Sequence, residues 1–304
     1  SSNYGIYERH TLSQEFHGIE SYTPSTDSLH SVAIDEDSLK KAISKLRNVK
    51  ATDVDNIPGE FLKYGGSTLN IIILKLLKLI KLTENMPEDW YEGIVKPLYK
   101  EGSKEILSNY RGITISCVIY KVLVTIVEHQ VMEYVEDKGL LGENQGSFRK
   151  GRRCEDHLFA LKGICSIRKS KKDKTYLAYL DVSKAFDTVC RDTLFKHLWN
   201  MGIQGKTWKI IKMLYSKVAN TVVFGQFESD LFEVTNGLKQ GCVLSPCLFN
   251  MVMVNLDDML NGHGGITIGE VSINGLYYAD DIVLFADSEV QLKNRLDIAV
   301  KFGD

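Results

Sequence analysis

Asp280 and Asp281 stand side by side in "YYADDIVLFA" (277–286), between Tyr277, Tyr278 and Ala279 and the apolar run Ile282, Val283, Leu284 and Phe285. Aromatic and β-branched residues on both sides of a short polar break predict two strands meeting at a tight turn, with both acids at its tip. Two carboxylates held close on a half-buried hairpin repel one another, so they share a proton or take a cation between them. The stretch holds no Lys or Arg to supply that cation. Another carboxylate, Asp181, closes the β-forming run "TYLAYLD" 99 positions before Asp280. Carboxylates on neighbouring strands can share Mg²⁺, which takes hard oxygen ligands. Two such ions about 3.5–4 Å apart activate an attacking hydroxyl and neutralise a leaving pyrophosphate, so phosphoryl transfer is the chemistry suggested. The plain alternatives are a solvated Asp-Asp turn and an Asp181 that only caps the helix after it.

Positioning these acids takes a core, and the chain can build one. Its 304 residues, 44% hydrophobic and 25% charged, suit a globular protein with one large core or two lobes. The opening "SSNYGIYERH" has no apolar run for a signal peptide and no initiator Met, and reads as excised from something longer. In "LNIIILKLLKLIKL" the residues Lys75, Lys78 and Lys81 draw a polar stripe, which makes an amphipathic helix and not a membrane span. Cysteines at 117, 154, 165, 190, 242 and 247 form no C-x-x-C pair, and the seven histidines are scattered. Neither a zinc site nor a disulfide framework is suggested, and a reducing, intracellular setting in nucleus or cytoplasm fits best. The net charge of −2 conceals a basic segment: Arg149 to Lys174 holds ten Lys or Arg against three Asp or Glu.

Residues 1–36 read as a loosely structured extension. Asp35 or Asp37 then caps a helix with Leu39, Ile43 and Leu46 on one face. A short helix follows Pro58 and ends at Gly65 and Gly66, before the lysine-striped helix. Further helices are expected over about Val118 to Glu136, about Asp156 to Ile167, and through Leu194, Leu198 and Met201 to a stop at Gly202. "TVVFGQF" and "LFEVT" form a candidate hairpin. A Gly-rich turn, "NGLKQGCVLSP", leads into a helix with Leu248, Val252 and Leu256. A last helix with Leu292, Leu296 and Val300 follows the acidic hairpin. Helices packed on a mostly antiparallel sheet make the fold class α+β.

The ordered series "YLDVSKAFDTV", "GLKQGCVLSPCLFN" and "YADD" resembles three successive palm motifs of a reverse transcriptase. Upstream, "KATDVDNIPGEFLKYGG", "YKEGSKEILSNYRGITI" and "ENQGSFRKGRRCEDHL" resemble finger blocks of the non-long-terminal-repeat (LINE-type) retrotransposon enzymes. The likeness covers about residues 37 to 303 and rests on the order of the blocks.

The resemblance implies a right-hand polymerase: fingers over 37–174 and palm over 175–304, with the palm incomplete and the thumb absent because the chain stops at Asp304. It implies RNA-directed DNA synthesis on an RNA template and DNA primer from deoxynucleoside triphosphates, with two Mg²⁺ ions, Mn²⁺ substituting. Asp181, Asp280 and Asp281 would bind the metals, Asp281 less directly, with the backbone carbonyl of Val182. Phe186 falls where the family places an aromatic ring beneath the sugar, excluding a 2′-hydroxyl. Gln240 and Gly241 would border the nucleotide, and Lys100 and Arg111 would grip the triphosphate. Arg149 and Arg152 would lie by the template, giving the basic segment phosphate contacts. Gly112 stands where the family often has Pro, "QGSFRKG" alters the usual order of aromatic, Gly, Phe, and "TDVDNIP" lacks the common Gly-Pro-Asp-Gly. An RNA-dependent RNA polymerase, which Phe186 disfavours, and a catalytically idle nucleic-acid-binding remnant are the competing readings. Without a thumb, synthesis is expected to be feeble and distributive.

Overall fold

A computed structural model describes residues 28–50, 52 and 55–303. Most of the expected N-terminal extension, and Ala51, Asp53 and Val54 of the first finger block, lie outside the described residues.

Three helices come first: α1 (Glu36–Lys45), α2 (Gly59–Tyr64) and α3 (Gly66–Thr83). Asp35 begins α1 through a reciprocal cap, its carboxylate accepting from the Ser38 amide at 2.8 Å while Ser38 Oγ accepts from the Asp35 amide at 3.0 Å. The face of α3 bearing Ile73, Leu77 and Ile80 is buried. Lys75 and Lys78 face solvent as the stripe predicts. Lys81 is half-buried instead and donates to the Val32 carbonyl at 2.6 Å, and burial lowers its pKa.

Strands β1 (Glu92–Tyr99) and β2 (Tyr110–Ile115) form an antiparallel pair, and α4 (Val118–Asp137) follows. Val122, Leu123, Val127 and Val131 of α4 are wholly buried, so this helix runs through the core. Then come α5 (Cys154–Ser170), β3 (Tyr176–Asp181), α6 (Ala185–Thr188), α7 (Arg191–Asn200) and α8 (Gly205–Ser216). The remaining elements are β4 (Ala219–Phe224), β5 (Phe227–Glu228), β6 (Phe232–Glu233), α9 (Leu244–Leu260), β7 (Ile266–Ile268), β8 (Val271–Ile273), β9 (Gly275–Tyr278), β10 (Asp281–Ala286) and α10 (Glu289–Gly303).

Two sheets matter for the site. One runs β2-β1-β4-β5, with β6 also on β4; its β1–β4 contact is parallel and the other pairs are antiparallel. The other, β3-β10-β9, is antiparallel throughout. The fold is therefore α+β with a mostly antiparallel sheet, as expected. The hairpin expected between "TVVFGQF" and "LFEVT" forms differently: the first run folds back on itself at Gly225 (φ +63°), giving β4 and β5, and β6 returns to the other end of β4. Helix α8 has no counterpart in the sequence reading, although Trp208, Ile211 and Tyr215 recur at helical spacing and are buried.

The largest core joins α1, α3, α4, α7, α8 and α9. Among the described residues, no helix is long and apolar enough to cross a membrane.

Candidate active site

The strand of Asp181 and the strand of Asp281 are neighbours, and the register sets the two acids opposite each other, with Leu180 across from Ile282 and Tyr179 across from Val283. Side chains opposite each other in an antiparallel pair have Cβ atoms about 4.5–5.5 Å apart, so the two carboxylates share one face of the sheet. The N-cap reading of Asp181 is not realised, because Lys184 precedes α6. Tyr278 pairs with Asp281, leaving a two-residue turn of Ala279 and Asp280. The sequence reading puts both acids at the hairpin tip; Asp280 is there, while Asp281 is the first residue of β10. Ala279 has φ +58°, a positive value at the first central position as type II′ turns require.

Asp181 and Asp281 are exposed and Asp280 half-buried. Among the described residues no side chain donates to any of the three, and no three His, Cys, Asp or Glu side chains stand close enough to hold an ion as they lie. Uncompensated carboxylates sharing the solvent-facing end of one sheet are a donor set of the kind Mg²⁺ takes. The residues fit the metal in chemistry, with the third acid in the turn directly before the facing pair's Asp281.

The other predicted residues lie on several elements. Val182 leaves β3 directly after Asp181 and packs on the core. Phe186 is half-buried, its ring stacked on Phe249 of α9 at 4.8 Å and 13° and edge-on to Phe148 at 6.4 Å. Gln240 Nε2 donates to Asp187 Oδ1 at 2.8 Å, and the Gln240 carbonyl accepts from the Thr114 amide at 2.7 Å. The Gly-rich turn is thereby tied both to the residue after Phe186 and to β2. Gly241 (φ +102°) lies so close to β2 that a Cβ would meet the Thr114 carbonyl oxygen at 2.8 Å. Lys100 follows β1 and Arg111 lies on β2 opposite Leu98; both are exposed, with no side-chain partner among the described residues.

Arg149 is placed otherwise than a template contact requires. It is 8% exposed, forks onto Glu136 of α4 at 2.8 and 2.7 Å, and donates to the Gly142 and Gln145 carbonyls. That hydrogen-bonded pairing holds the Glu136 carboxyl below its ordinary pKa. Arg152 is paired with Glu143 at 2.7 Å, and Arg168 with Asp173 and Asp287. Three of the segment's ten basic residues are thus engaged by acidic side chains. Arg149→Met should therefore cost about 1–3 kcal/mol in urea unfolding, reduced because Glu136 keeps some solvent. A variant of unchanged stability that bound RNA about tenfold more weakly would instead make Arg149 a template contact.

Sequence reasoning passed over the residues just before Arg149. Asn144, Gln145 and Gly146 run beside β9: the Tyr277 amide donates to the Asn144 carbonyl at 2.8 Å and the Gly146 amide to the Tyr277 carbonyl at 2.9 Å. A Cβ at Gly146 would meet His157 Nε2 at 2.3 Å, so a larger residue there would displace that ring. Burial lowers the pKa of that histidine, whose ring meets Tyr278 edge-on. Tyr277 is anchored to Asp257 of α9 at 3.1 Å, and burial raises its pKa. Only the match of "ENQGSFRKGRR" to a finger block pointed to this segment, and it did not single out Gln145.

Residues 98–304 match the profile of the family described as reverse transcriptase (RNA-dependent DNA polymerase). The chain belongs to that family, whose members generally use divalent metal ions. It is similar to the Retrovirus-related Pol polyprotein from type-1 retrotransposable element R2 of Popillia japonica, 31% identical over 229 residues, which is 74% of this chain and 32% of the relative. It is also similar to the polyprotein from type-2 retrotransposable element R2DM of Drosophila melanogaster, 27% identical over 233 residues, 76% of this chain and 22% of the relative. A type-1 R2 polyprotein of Nasonia vitripennis is 24% identical over 230 residues, again 76% of this chain and 22% of the relative. The chain is thus a reverse transcriptase domain of the non-long-terminal-repeat retrotransposon kind. It spans about a third or less of the length of these curated relatives.

Proposed function

We propose that this domain performs RNA-directed DNA synthesis, adding deoxynucleotides to a DNA primer on an RNA template. The observation that carries the reading is the facing of Asp181 and Asp281 across β3 and β10, beside a turn that presents Asp280. In this reading Asp181 and Asp280, with Asp281 and the Val182 carbonyl, hold two Mg²⁺ ions. When bound, such ions activate the primer hydroxyl and neutralise the leaving pyrophosphate.

The chain's own residues supply the rest. Lys100 and Arg111, exposed and without side-chain partners among the described residues, bring positive charge to the triphosphate from one end of the β1–β2 pair. The ring of Phe186, braced by Phe249, blocks a 2′-hydroxyl. Gln240 and Gly241 border the nucleotide, where the bare Gly241 backbone permits close approach. Arg152, with Arg149 as the buried anchor of its loop, lies toward the template in the fingers (37–174), and the acids belong to the palm (175–304). A ribonucleotide polymerase or an idle remnant has no observation in its favour.

Purified chain, a primed RNA template, deoxynucleoside triphosphates and Mg²⁺ should give extended DNA primers, and chelation by EDTA should stop extension. No templated product with Mg²⁺ or Mn²⁺, from protein shown to be folded, would overturn the proposal.

A further inference from the structure

The turn that carries Asp280 is built with an ill-suited residue. A positive φ at the first central position favours glycine, yet this chain has Ala279 at φ +58°. Backbone of that kind persists where its surroundings over-determine it. Here the surroundings are one side chain. Gln145 Oε1 accepts from the Ala279 amide at 3.1 Å, and Gln145 Nε2 reaches the Ala279 carbonyl at 3.5 Å. The same Oε1 accepts from the Ser147 amide at 3.0 Å and from Ser147 Oγ at 2.9 Å, which fixes the orientation of the amide group. Ser147 is held in turn by Asn250 of α9, whose Nδ2 donates to the Ser147 carbonyl at 2.9 Å. Gln145, Ser147 and Asn250 are 4%, 1% and 0% exposed, so water cannot substitute for a lost partner.

We infer that Gln145 is a positioning residue for the catalytic turn: it holds Ala279 in its left-handed conformation and thereby sets where Asp280 presents its carboxylate, with Asn250 and Ser147 transmitting the rigidity of α9. In this role Gln145 acts through Ala279. The inference rests on the polymerase reading for its catalytic consequence and on the hydrogen bonds alone for its structural one.

The test compares Gln145→Met, which keeps length and loses the acceptor, Gln145→Glu, which keeps an acceptor, and Gln145→Met combined with Ala279→Gly. Amide hydrogen exchange should show the Ala279 amide in Gln145→Met exchanging roughly tenfold faster, the equivalent of one hydrogen bond, with core amides unchanged. Gln145→Glu should keep it protected. In primer extension Gln145→Met should lower kcat by up to about 10²-fold, the scale of a small misplacement, with the deoxynucleotide KM little altered. Ala279→Gly in that background should restore part of the loss, because glycine adopts the turn without help. An unaltered Ala279 amide in Gln145→Met, loss of protection in Gln145→Glu, or a kcat deficit that Ala279→Gly leaves untouched would each overturn the inference. If Gln145→Met does not fold, the Glu variant still decides. If no variant and not even the parent chain extends a primer, the polymerase reading has failed while the exchange experiment still reports on the clamp.

Discussion

Asp280→Asn should slow primer extension by at least about 10³-fold, because a lost metal carboxylate removes transition-state stabilisation and leaves core packing alone. Asp181→Asn should do the same, with a second effect of opposite sign. Like charges directly opposite each other in an antiparallel pair destabilise it, and Asp181 faces Asp281. Neutralising one of them should therefore raise stability by roughly 0.2–1 kcal/mol, on the scale of cross-strand pairs. Thermal unfolding at low salt, repeated at high salt where the gain should shrink, measures it. Activity and stability would then move in opposite directions, as expected of a site that keeps a strained charge arrangement for its chemistry. An Asn variant that extended primers at near the parent rate would remove the acid from the metal site.

The second large effect is expected at Phe186. Phe186→Val should raise the ratio of ribonucleotide to deoxynucleotide incorporation by about 10-fold or more, since relief of a clash needs no new attraction. The ring also packs, stacked on Phe249 and edge-on to Phe148, so the same change should cost about 1–3 kcal/mol of stability. Phe249→Leu separates the two roles. It loosens the stack while keeping the Phe186 ring, and should reduce stability with little change in the ratio. Equal ratios in the parent chain and an active Phe186→Val enzyme would leave Phe186 as packing only.

Local signals were legible where a period or a cap expressed them. The aromatic and β-branched runs around Asp280 gave the β9–β10 hairpin, "TYLAYLD" gave β3, and the choice of Asp35 or Asp37 as cap gave the start of α1, where Asp35 proves to be the cap. The identity of the metal-binding candidates was legible for a similar reason, since carboxylates inside strand-forming sequence stand out. What failed was non-local. The parallel pairing of β1 with β4 joins residues more than a hundred positions apart and leaves no local pattern. Helix α8 escaped because Lys206, Lys209 and Lys212 break up its apolar residues and Gly205 opens it. The charge count misled at Arg149, because a sum of side chains does not reveal which are themselves buried and engaged, as Arg149 is with Glu136. Gln145 was invisible for the converse reason: an uncharged amide carries no chemical signal until the turn it holds is seen.

Among the described residues β3 pairs with β10 alone, and this also has a meaning for synthesis on the ribosome. Asp181 and its partner Asp281 are 100 positions apart. At about 5–20 residues per second, a nascent chain completes β3 and then waits on the order of 5–20 s for β10. Throughout that interval β3 offers two unpaired edges, and from Tyr176 to Leu180 every one of its side chains is apolar or aromatic. Such an edge invites pairing with another chain. Asp181, proposed above as a metal ligand, is the strand's one charge, and it discourages premature partners until the second half of the site has been translated.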